Sequence, residues 1–231
     1  MKQINKYICE RLHINKDTGN RHYNYHPTTK DELEELLKKL IKERGYDADL
    51  NDIDTSEITD MKELFFNSPF NGNISEWDVS NVTNMDSMFY ESEFTGENGD
   101  ISNWDVSNVK NMCSMFAYSS FDDDISQWDV SNVDNMSYMF CWSKFDKDIS
   151  NWDVSNVKTM SLMFYNSKFT GENGDISEWD VSNVRDMYYM FNYSSFNGDI
   201  SKWNVSNVIN MKEMFDKSPL QKNPPKWYKK K

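Results

Sequence analysis

Apolar side chains recur along this chain with a fixed period from residue 53 to residue 227. Tryptophans stand at 77, 104, 128, 152, 179 and 203, so the successive spacings are 27, 24, 24, 27 and 24. Two degenerate copies keep the phase, because Ile53 lies 24 residues before Trp77 and Trp227 lies 24 residues after Trp203. A period of about 20 to 50 residues is typical of arrays in which one unit cannot bury its apolar face without neighbours. The spacing predicts seven units.

Each unit predicts a short strand followed by a short helix. Trp104 and Val106 alternate with Asp105, as in a half-buried strand. Ser107-Asn108 then offers an N-cap, and apolar residues follow at helical spacing: Val109, Met112, Met115 and Phe116. Packed helices need about 8 to 10 Å whereas paired strands need about 4.8 Å, so the strands should lie on the concave side. We therefore predict an α/β fold, a right-handed solenoid of seven 24- or 27-residue strand-helix coils resembling a leucine-rich repeat.

A helix is predicted ahead of the repeats. Thr29-Lys30-Asp31-Glu32 fits the capping box, in which a threonine hydroxyl and a glutamate three residues later satisfy each other's backbone donors. Gly45 is placed to end the helix. The residues that share one helical face are apolar: Leu33, Leu36, Leu37, Leu40 and Ile41. This face needs a partner, and we interpret the helix as an N-terminal cap on the array.

The repeated phrase WDVSNVxxMxxMF, together with F-x-x-D-I-S, resembles the BspA-type leucine-rich repeat surface proteins of bacteria, which include repeat lipoproteins. The resemblance covers roughly residues 53 to 227 and implies a repeat fold and a role as a surface adhesin. Two features depart from it. The chain shows no secretion signal or lipobox. The asparagine that lines the ladder in many such repeats stands one position earlier in this unit, at Asn81, Asn108, Asn132, Asn156, Asn183 and Asn207.

Three regions are expected. Residues 1–52 form a leader and the capping helix, residues 53–220 the repeat solenoid, and residues 221–231 a C-terminal cap with a basic tail. In the leader, short extended pieces flank a predicted turn at residues 16–20. Pro224 and Pro225 should stop the array, since proline continues neither a ladder nor a helix, and Trp227 should fold over the last coil.

Charge is concentrated in the repeats. The net charge of the chain is -13, and residues 53–220 hold 28 acidic against 10 basic residues. This acidity disfavours direct binding of nucleic acid, which requires neutralisation of phosphates. No stretch approaches the roughly 18 apolar residues of a membrane span. Without a signal peptide we expect a cytoplasmic protein, or a cell-surface one by analogy with the family, and a monomer.

No feature of the sequence predicts an enzyme. Cys9, Cys113 and Cys141 form no paired spacing, so neither disulfides nor zinc are indicated. His13, His22 and His26 lie in the leader region and match no triad or HExxH motif. Calcium remains an alternative because GENGD and DDD offer oxygens, although neither matches an EF-hand loop. We expect no catalytic residues, no cofactor and no metal.

One acidic position repeats across the units and is a candidate partner-binding site. As neighbours on successive strands these carboxylates should repel one another, so they await counterions or a basic protein or peptide. A purely structural alternative is that they cap local backbone and keep the surface wet. A third possibility is a mimic of a phosphate backbone that inhibits a nucleic-acid-binding protein. The candidate residues are Asp78, Asp105, Asp129, Asp153 and Asp180.

Aromatic residues at positions that vary between units form the second candidate site. Tyr118, Trp142 and Tyr193 follow the Met-x-x-Met-Phe phrase, and large amphipathic rings dominate many interfaces. The alternative is that they pack between adjacent coils. Two units also share an inserted loop, TGENGD at 95–100 and 170–175, which is either a binding element or a neutral copy made with its block. The predicted function is a non-enzymatic protein-protein interaction module.

Overall fold

A computed structural model describes residues 23–229 of the chain. Within these residues, α1 (Lys30–Arg44) is the one α-helix, and a single 3-10 turn spans Pro219–Gln221. The rest of the described chain consists of turns and isolated parallel bridges. Several predictions fall outside the described residues: the turn at 16–20, Cys9, His13, His22 and the last two lysines.

The predicted helix is confirmed, with one change in its cap. The hydroxyl of Thr29 accepts a hydrogen bond from the Glu32 amide at 3.2 Å, as the capping box requires. The return bond is shifted by one residue, because the Glu32 carboxylate accepts from the amide and the hydroxyl of Thr28. At the other end, Gly45 has φ +96 and its amide donates to the Ile41 carbonyl.

Helix α1 is joined to the repeats by apolar packing and by one ion pair. Its four leucines are buried in the same core as the repeat side chains. Arg44 forms a bidentate pair with Asp52 at 2.8 and 2.9 Å, and its guanidinium also lies 5.6 Å from the Tyr25 ring centroid. Burial alone would raise the pKa of Asp52, but hydrogen bonds from Arg44 and Asn24 outweigh it and lower that pKa.

A ladder of parallel bridges runs through the repeats and corrects the predicted strand-helix coil. It passes through one residue in each successive unit, and none of the described residues of the repeats belongs to a helix, a sheet or a strand longer than a bridge. The Trp-Asp-Val step forms no strand, and the segment predicted as helix carries the ladder. The strand-helix solenoid of the leucine-rich repeat type is therefore wrong. The bridge residues are Asp60, Asn84, Asn111, Asn135, Thr159, Asp186 and Asn210.

The segment that follows each bridge residue alternates between two kinds of backbone hydrogen bond. In the coil that begins at Asn111, the amides of Met112, Ser114, Phe116 and Tyr118 donate to the next coil at 2.8 to 3.0 Å. The amides between them instead close turns within the coil, as when Ala117 donates to the Ser114 carbonyl at 3.1 Å. The amides between them therefore reach neither neighbouring coil, whereas in a sheet they would bond to the coil on the other side, and no continuous strand results.

The physical reason for the error lies in the period of the apolar residues. Positions such as Val109, Met112 and Met115 lie three apart, which suits a helical face but equally suits a run of turns with one inward side chain per turn. So short a helix is marginal, because nucleation is costly. Here bonds to neighbouring coils replace the missing helical bonds. Because the coils contain no helices, there is no difference between helix spacing and strand spacing, and the argument for a concave side formed by strands no longer applies.

The core consists of stacked rings from successive coils. The first phenylalanines stack along the array, as in Phe89 on Phe116 at 5.6 Å and Phe140 on Phe164 at 5.8 Å. Each such ring also stacks on a second phenylalanine of its own coil, as Phe116 does on Phe121 at 4.1 Å. Offset-stacked pairs contribute about 0.5 to 1.5 kcal/mol beyond their burial. The predicted inward residues of the unit are all buried: Ile101, Trp104, Val106, Val109, Met112, Met115, Phe116 and Phe121.

The repeated tryptophan of each unit also forms a hydrogen bond to the preceding coil. The indole Nε1 of Trp152 donates to the Ile125 carbonyl at 3.1 Å, and Trp128 donates to the Ile101 carbonyl at 3.0 Å. The same bond recurs from Trp77 to Trp227. The rings from Trp77 to Trp203 are buried and that of Trp227 is partly buried, so the bond satisfies a carbonyl that would otherwise lose its hydration.

Polar side chains add a second set of ties between coils. Asn108 does not cap a helix as predicted, because its side-chain amide donates to the Ser80 carbonyl of the preceding coil at 2.8 Å. Asn132 makes the equivalent bond to Ser107 at 2.8 Å. The bridge residues also link to one another, as Asn111 does to Asn84 at 3.1 Å. These hydrogen bonds from asparagine side chains recur in successive coils and keep the coils in register.

The C-terminal end of the array is covered as predicted. The Trp227 ring lies 6.4 Å from Trp203 at an interplanar angle of 10°, and its Nε1 donates to the Ile200 carbonyl at 2.9 Å. Tyr228 packs edge-on against Phe215 at 4.9 Å. Among the described residues, no helix has the length and apolar character needed to cross a membrane.

Removal of the indole hydrogen-bond donor from one repeated tryptophan should destabilise the fold. Trp152→Phe leaves the buried Ile125 carbonyl without its partner, so we expect the free energy of unfolding to fall by about 2 kcal/mol. Urea denaturation followed by circular dichroism measures this. Trp142→Phe is the matched control, because Trp142 is half exposed and outside the ladder, and its cost should stay below about 0.5 kcal/mol. Equal losses of unfolding free energy in the two variants would contradict a stabilising role for the hydrogen bond from the Trp152 indole.

Substitution by glycine should have opposite effects at two exposed glutamates. Glu91 has φ +52, a conformation that costs a residue other than glycine roughly 1 to 2 kcal/mol, whereas Glu93 is not in this region. We expect Glu91→Gly to raise the urea midpoint and Glu93→Gly to lower it, since glycine otherwise loses more backbone entropy on folding. A lower midpoint for Glu91→Gly would show that the left-handed conformation is not strained.

Candidate functional site

The repeated aspartates occupy one exposed corner of the successive coils, and we call them the aspartate ladder. Each uses its Oδ1 to accept a hydrogen bond from the amide two residues later, as Asp105 does from Ser107 at 3.1 Å. In two coils the serine hydroxyl donates to the same oxygen, at 2.6 Å for both Asp78 and Asp105. The members are Asp78, Asp105, Asp129, Asp153 and Asp180.

The purely structural alternative, capping of the local backbone, is therefore present at every member of the aspartate ladder. Hydrogen bonds from Ser182 lower the pKa of Asp180, which favours its charged form. Asn204 occupies the same position in the last coil and accepts from the Ser206 amide at 3.2 Å. A neutral side chain thus supports the same turn, so the turn alone does not require the negative charge. Whether the ladder also binds a partner stays a prediction.

A shallow open cavity of about 550 Å³ lies beside the first two aspartates of the ladder. Its walls combine acidic groups with the partly exposed ring of Tyr23, and the acidic residues include Asp78, Asp100 and Asp105. This chemistry suits a cationic group such as the side chain of a lysine or arginine. Among the described residues, no group of three or more histidine, cysteine, aspartate or glutamate side chains is arranged to hold a metal ion.

The second candidate region is formed by four positions in each coil, which we call the variable face. They lie two, three, six and seven residues after the bridge residue. In the coil of Asn111 they are Cys113, Ser114, Ala117 and Tyr118. The residues between them, Met115 and Phe116, are buried and nearly invariant among the copies. Variation within the repeat is therefore pronounced on this face.

Large side chains are exposed along the variable face. The structure brings Tyr118 and Trp142 together, with ring centroids 5.9 Å apart and planes at 10°. Tyr193 lies further along, 6.0 Å from Tyr165 in an edge-to-face contact. The face therefore combines contacts between coils, which the packing alternative requires, with substantial exposure. The exposed aromatic members are Phe66 47%, Tyr118 45%, Tyr138 40%, Trp142 51% and Tyr193 44%.

Half of the positions on the variable face have a left-handed backbone. The third residue of a type II turn needs a positive φ, which glycine or asparagine adopts at least cost. Asn67 and Asn166 meet that preference, with φ +48 and +49. Elsewhere the position holds bulky residues, including Tyr118 at +58 and Trp142 at +55. Large side chains in this region are unusual, and the sequence pattern gave no sign of the conformation.

Three further residues of the variable face have unusual surroundings. The Lys217 ammonium hydrogen-bonds to the Tyr193 hydroxyl and lies 4.2 Å from the centroid of that ring. Asn192 is buried, its Nδ2 donates to the Glu213 carbonyl at 2.9 Å, and its Oδ1 has no partner among the described residues. Burial raises the pKa of the Cys141 thiol to about 12 against a smaller opposing effect of the Tyr118 hydroxyl, so this thiol stays protonated.

The two inserted loops are bound to the coil that precedes them. In the first loop, the Thr95 amide and hydroxyl both donate to Asn71 Oδ1, and the Asn98 side chain donates to the Asn71 carbonyl at 2.7 Å. The second loop repeats these contacts on Asp146 through Thr170 and Asn173. The loops therefore have a packing role, which supports the simpler interpretation without testing binding.

The described part of the leader makes polar contacts with the start of the array, among them the bond from Asn24 to Asp52 at 2.8 Å. Nδ1 of His26 lies 3.0 Å from Asp54 Oδ2, and Tyr25 forms a bridge with Ile53. Hydrogen bonding from Ser56 and His26 outweighs burial and lowers the pKa of Asp54. Cys113 is partly buried and Cys141 is buried, and both are free thiols. These contacts anchor the first coil and form no recognisable catalytic arrangement.

Comparison with known proteins gives a family but no activity. Neither the curated proteins nor the solved structures contain a significant match to this chain. A family model described as "Mycoplasma protein of unknown function, DUF285" matches residues 33–141, 93–172 and 141–230. Three overlapping matches are expected of a repeat family, and together they cover more than half of the chain. The chain belongs to this repeat family of unknown function.

Proposed function

We propose that this protein is a non-enzymatic interaction module that binds another protein on its variable face. The observation that carries the proposal is the row of exposed aromatic side chains at positions that differ from coil to coil. The fixed residues of the unit are explained by stacking of buried rings and by the hydrogen bonds that tryptophan and asparagine side chains donate to the preceding coil. The variable residues are not needed by every coil, so they are free to determine specificity.

A second candidate surface is the aspartate ladder, which would bind a basic protein or peptide. Its support is the row of exposed carboxylates on successive coils and the adjoining cavity with Tyr23. Charge repulsion between neighbours on the ladder would be relieved by a cationic partner. The same ladder would serve a mimic of a phosphate backbone, in which case the partner would be a nucleic-acid-binding protein.

The resemblance to BspA-type repeat proteins adds a biological variant of this proposal. In that variant the module is an adhesin displayed on the cell surface, and its partner is a protein of another cell. The repeated WDVSNV phrase supports it. Membership of the DUF285 family is compatible with it but names no partner.

The choice between the two faces can be made by affinity capture from cells of the native host. We expect the triple variant Tyr118→Ala, Trp142→Ala and Tyr193→Ala to lose the partner that the unmodified chain captures. The matched variant, Asp105→Asn, Asp129→Asn and Asp153→Asn, should retain it, and its fold should persist because Asn204 supports the same turn. Mass spectrometry identifies the captured proteins. Retention by the alanine variant together with loss by the asparagine variant would move the site to the aspartate ladder.

Salt provides an independent measurement on the same captured complex. A partner anchored by aromatic side chains should stay bound above about 0.2 M salt, whereas a complex based on the ladder charges should dissociate as exposed charges are screened. The salt dependence of the dissociation constant, measured by surface plasmon resonance with the purified partner, tests this. A steep loss of affinity between about 0.05 and 0.5 M salt would contradict the aromatic site.

A further inference from the structure

The central part of the variable face carries no charge. From the coil of Asn111 to the coil of Asp186, none of the four variable positions in any coil is acidic or basic. The two coils before this region place Lys62, Glu63 and Asp86 at equivalent positions. Charged residues make up 27% of the chain. A run of four coils without charge is therefore a distinct feature of this surface.

The chain itself shows that charge is compatible with these positions. Lysine stands two residues after the bridge in the first and last coils, and glutamate stands three residues after it in the same coils, as Glu63 and Glu213. Glu91 and Lys217 occupy the position seven residues after the bridge, where Trp142 stands in the central region. The fold therefore does not exclude charge from the centre.

The combination of aromatic centre and charged margin is the arrangement found at protein-protein interfaces. The centre of an interface is depleted in charge and enriched in aromatic residues, while its rim is polar. Here the centre holds Tyr118, Tyr138 and Trp142, and charged residues lie beyond it at both ends. We propose that this central region binds an uncharged, apolar segment of another protein. This inference rests on the proposed function and specifies the chemistry of the partner.

The orientation of the rings favours a polypeptide over a sugar. A sugar stacks on the open face of an aromatic ring, but the Tyr118 and Trp142 rings are 5.9 Å apart at 10°, so their faces turn towards each other. The rings of Phe66 and Tyr90 are arranged in the same way at 4.9 Å. The face that each of these rings turns to its partner is therefore closed to a sugar, and the exposed ring edges suit contact with aliphatic or aromatic side chains.

The dimensions of the region limit the length of the segment. Four coils joined by parallel bridges extend over about 14 Å, at roughly 4.8 Å per step. An extended polypeptide rises about 3.3 Å per residue, so about five residues would span the centre. The contact is therefore one short apolar segment, with flanking residues placed near the charged margins.

The first part of the test defines the ligand chemistry. A phage library of random peptides about twelve residues long, long enough to span the centre and both margins, is selected on the purified full chain. We expect the enriched peptides to share a core of about five uncharged, apolar residues. Enrichment of basic peptides, failure to enrich any peptide, or selective binding to a glycan array would overturn the proposal. So would self-association in sedimentation experiments that Trp142→Glu abolishes, because the occupant would then be a second copy.

The second part places a charge in the centre at positions where the chain tolerates it. Ser114→Glu imitates Glu63, and Trp142→Glu imitates Glu91, so both variants should keep the fold, as checked by melting temperature. We expect each to weaken binding of a synthetic enriched peptide about tenfold or more, because the charge is desolvated without a partner. Asn151→Glu is the matched control on another face, where Glu76 and Glu178 stand in other coils, and should change affinity less than about twofold.

The results separate this inference from the proposed function. A charged consensus peptide that depends on Trp142 would overturn the uncharged ligand and leave the variable face as the binding site. Binding that is equally strong in Ser114→Glu, Trp142→Glu and Asn151→Glu would overturn both. Loss of binding in the first two variants with an unchanged melting temperature supports both.

Discussion

The hydrogen bond between adjacent coils is the interaction on which the rest of this structure depends. Every second amide after a bridge residue donates to the next coil, and the ladder tryptophan and asparagine side chains donate to the preceding one. These bonds align equivalent residues, so identical rings stack and the Phe116 side chain meets Phe89 and Phe140. Strict repetition of the unit is a consequence of this alignment. A coil that shifted would lose its backbone bonds and its ring contacts together.

The sequence predicts the period, the buried residues and helix α1, because each depends on local patterns. Apolar residues at fixed phase must be buried wherever the array places them, and the Thr29 cap with Gly45 bounds a helix by local bonding. The conformation between Val109 and Tyr118 could not be deduced in the same way. Its apolar spacing fits a helix, but its serine and asparagine side chains stabilise turns, and the neighbouring coil decides between them.

The candidate site was only partly predictable, for a related reason. Tyr118, Trp142 and Tyr193 were identifiable as variable aromatic residues, and the structure brings the first two into contact. Their left-handed backbone depends on bonds to the next coil, which no pattern within one coil reveals. Absence of charge becomes informative only when equivalent positions are aligned on one face. The aspartates are explained as turn residues once the bond from Asp105 to Ser107 is seen.

The left-handed positions connect stability with recognition. Asparagine at position 166 satisfies the turn at little cost, whereas Tyr118 and Trp142 adopt a conformation that large side chains avoid. Their exposed rings recover only part of that cost through mutual stacking, because about half of each ring surface remains in water. A sequence selected for stability alone would place asparagine or glycine in these turns. We propose that contact with a partner compensates for the cost that the packing of the array leaves at these strained, exposed positions.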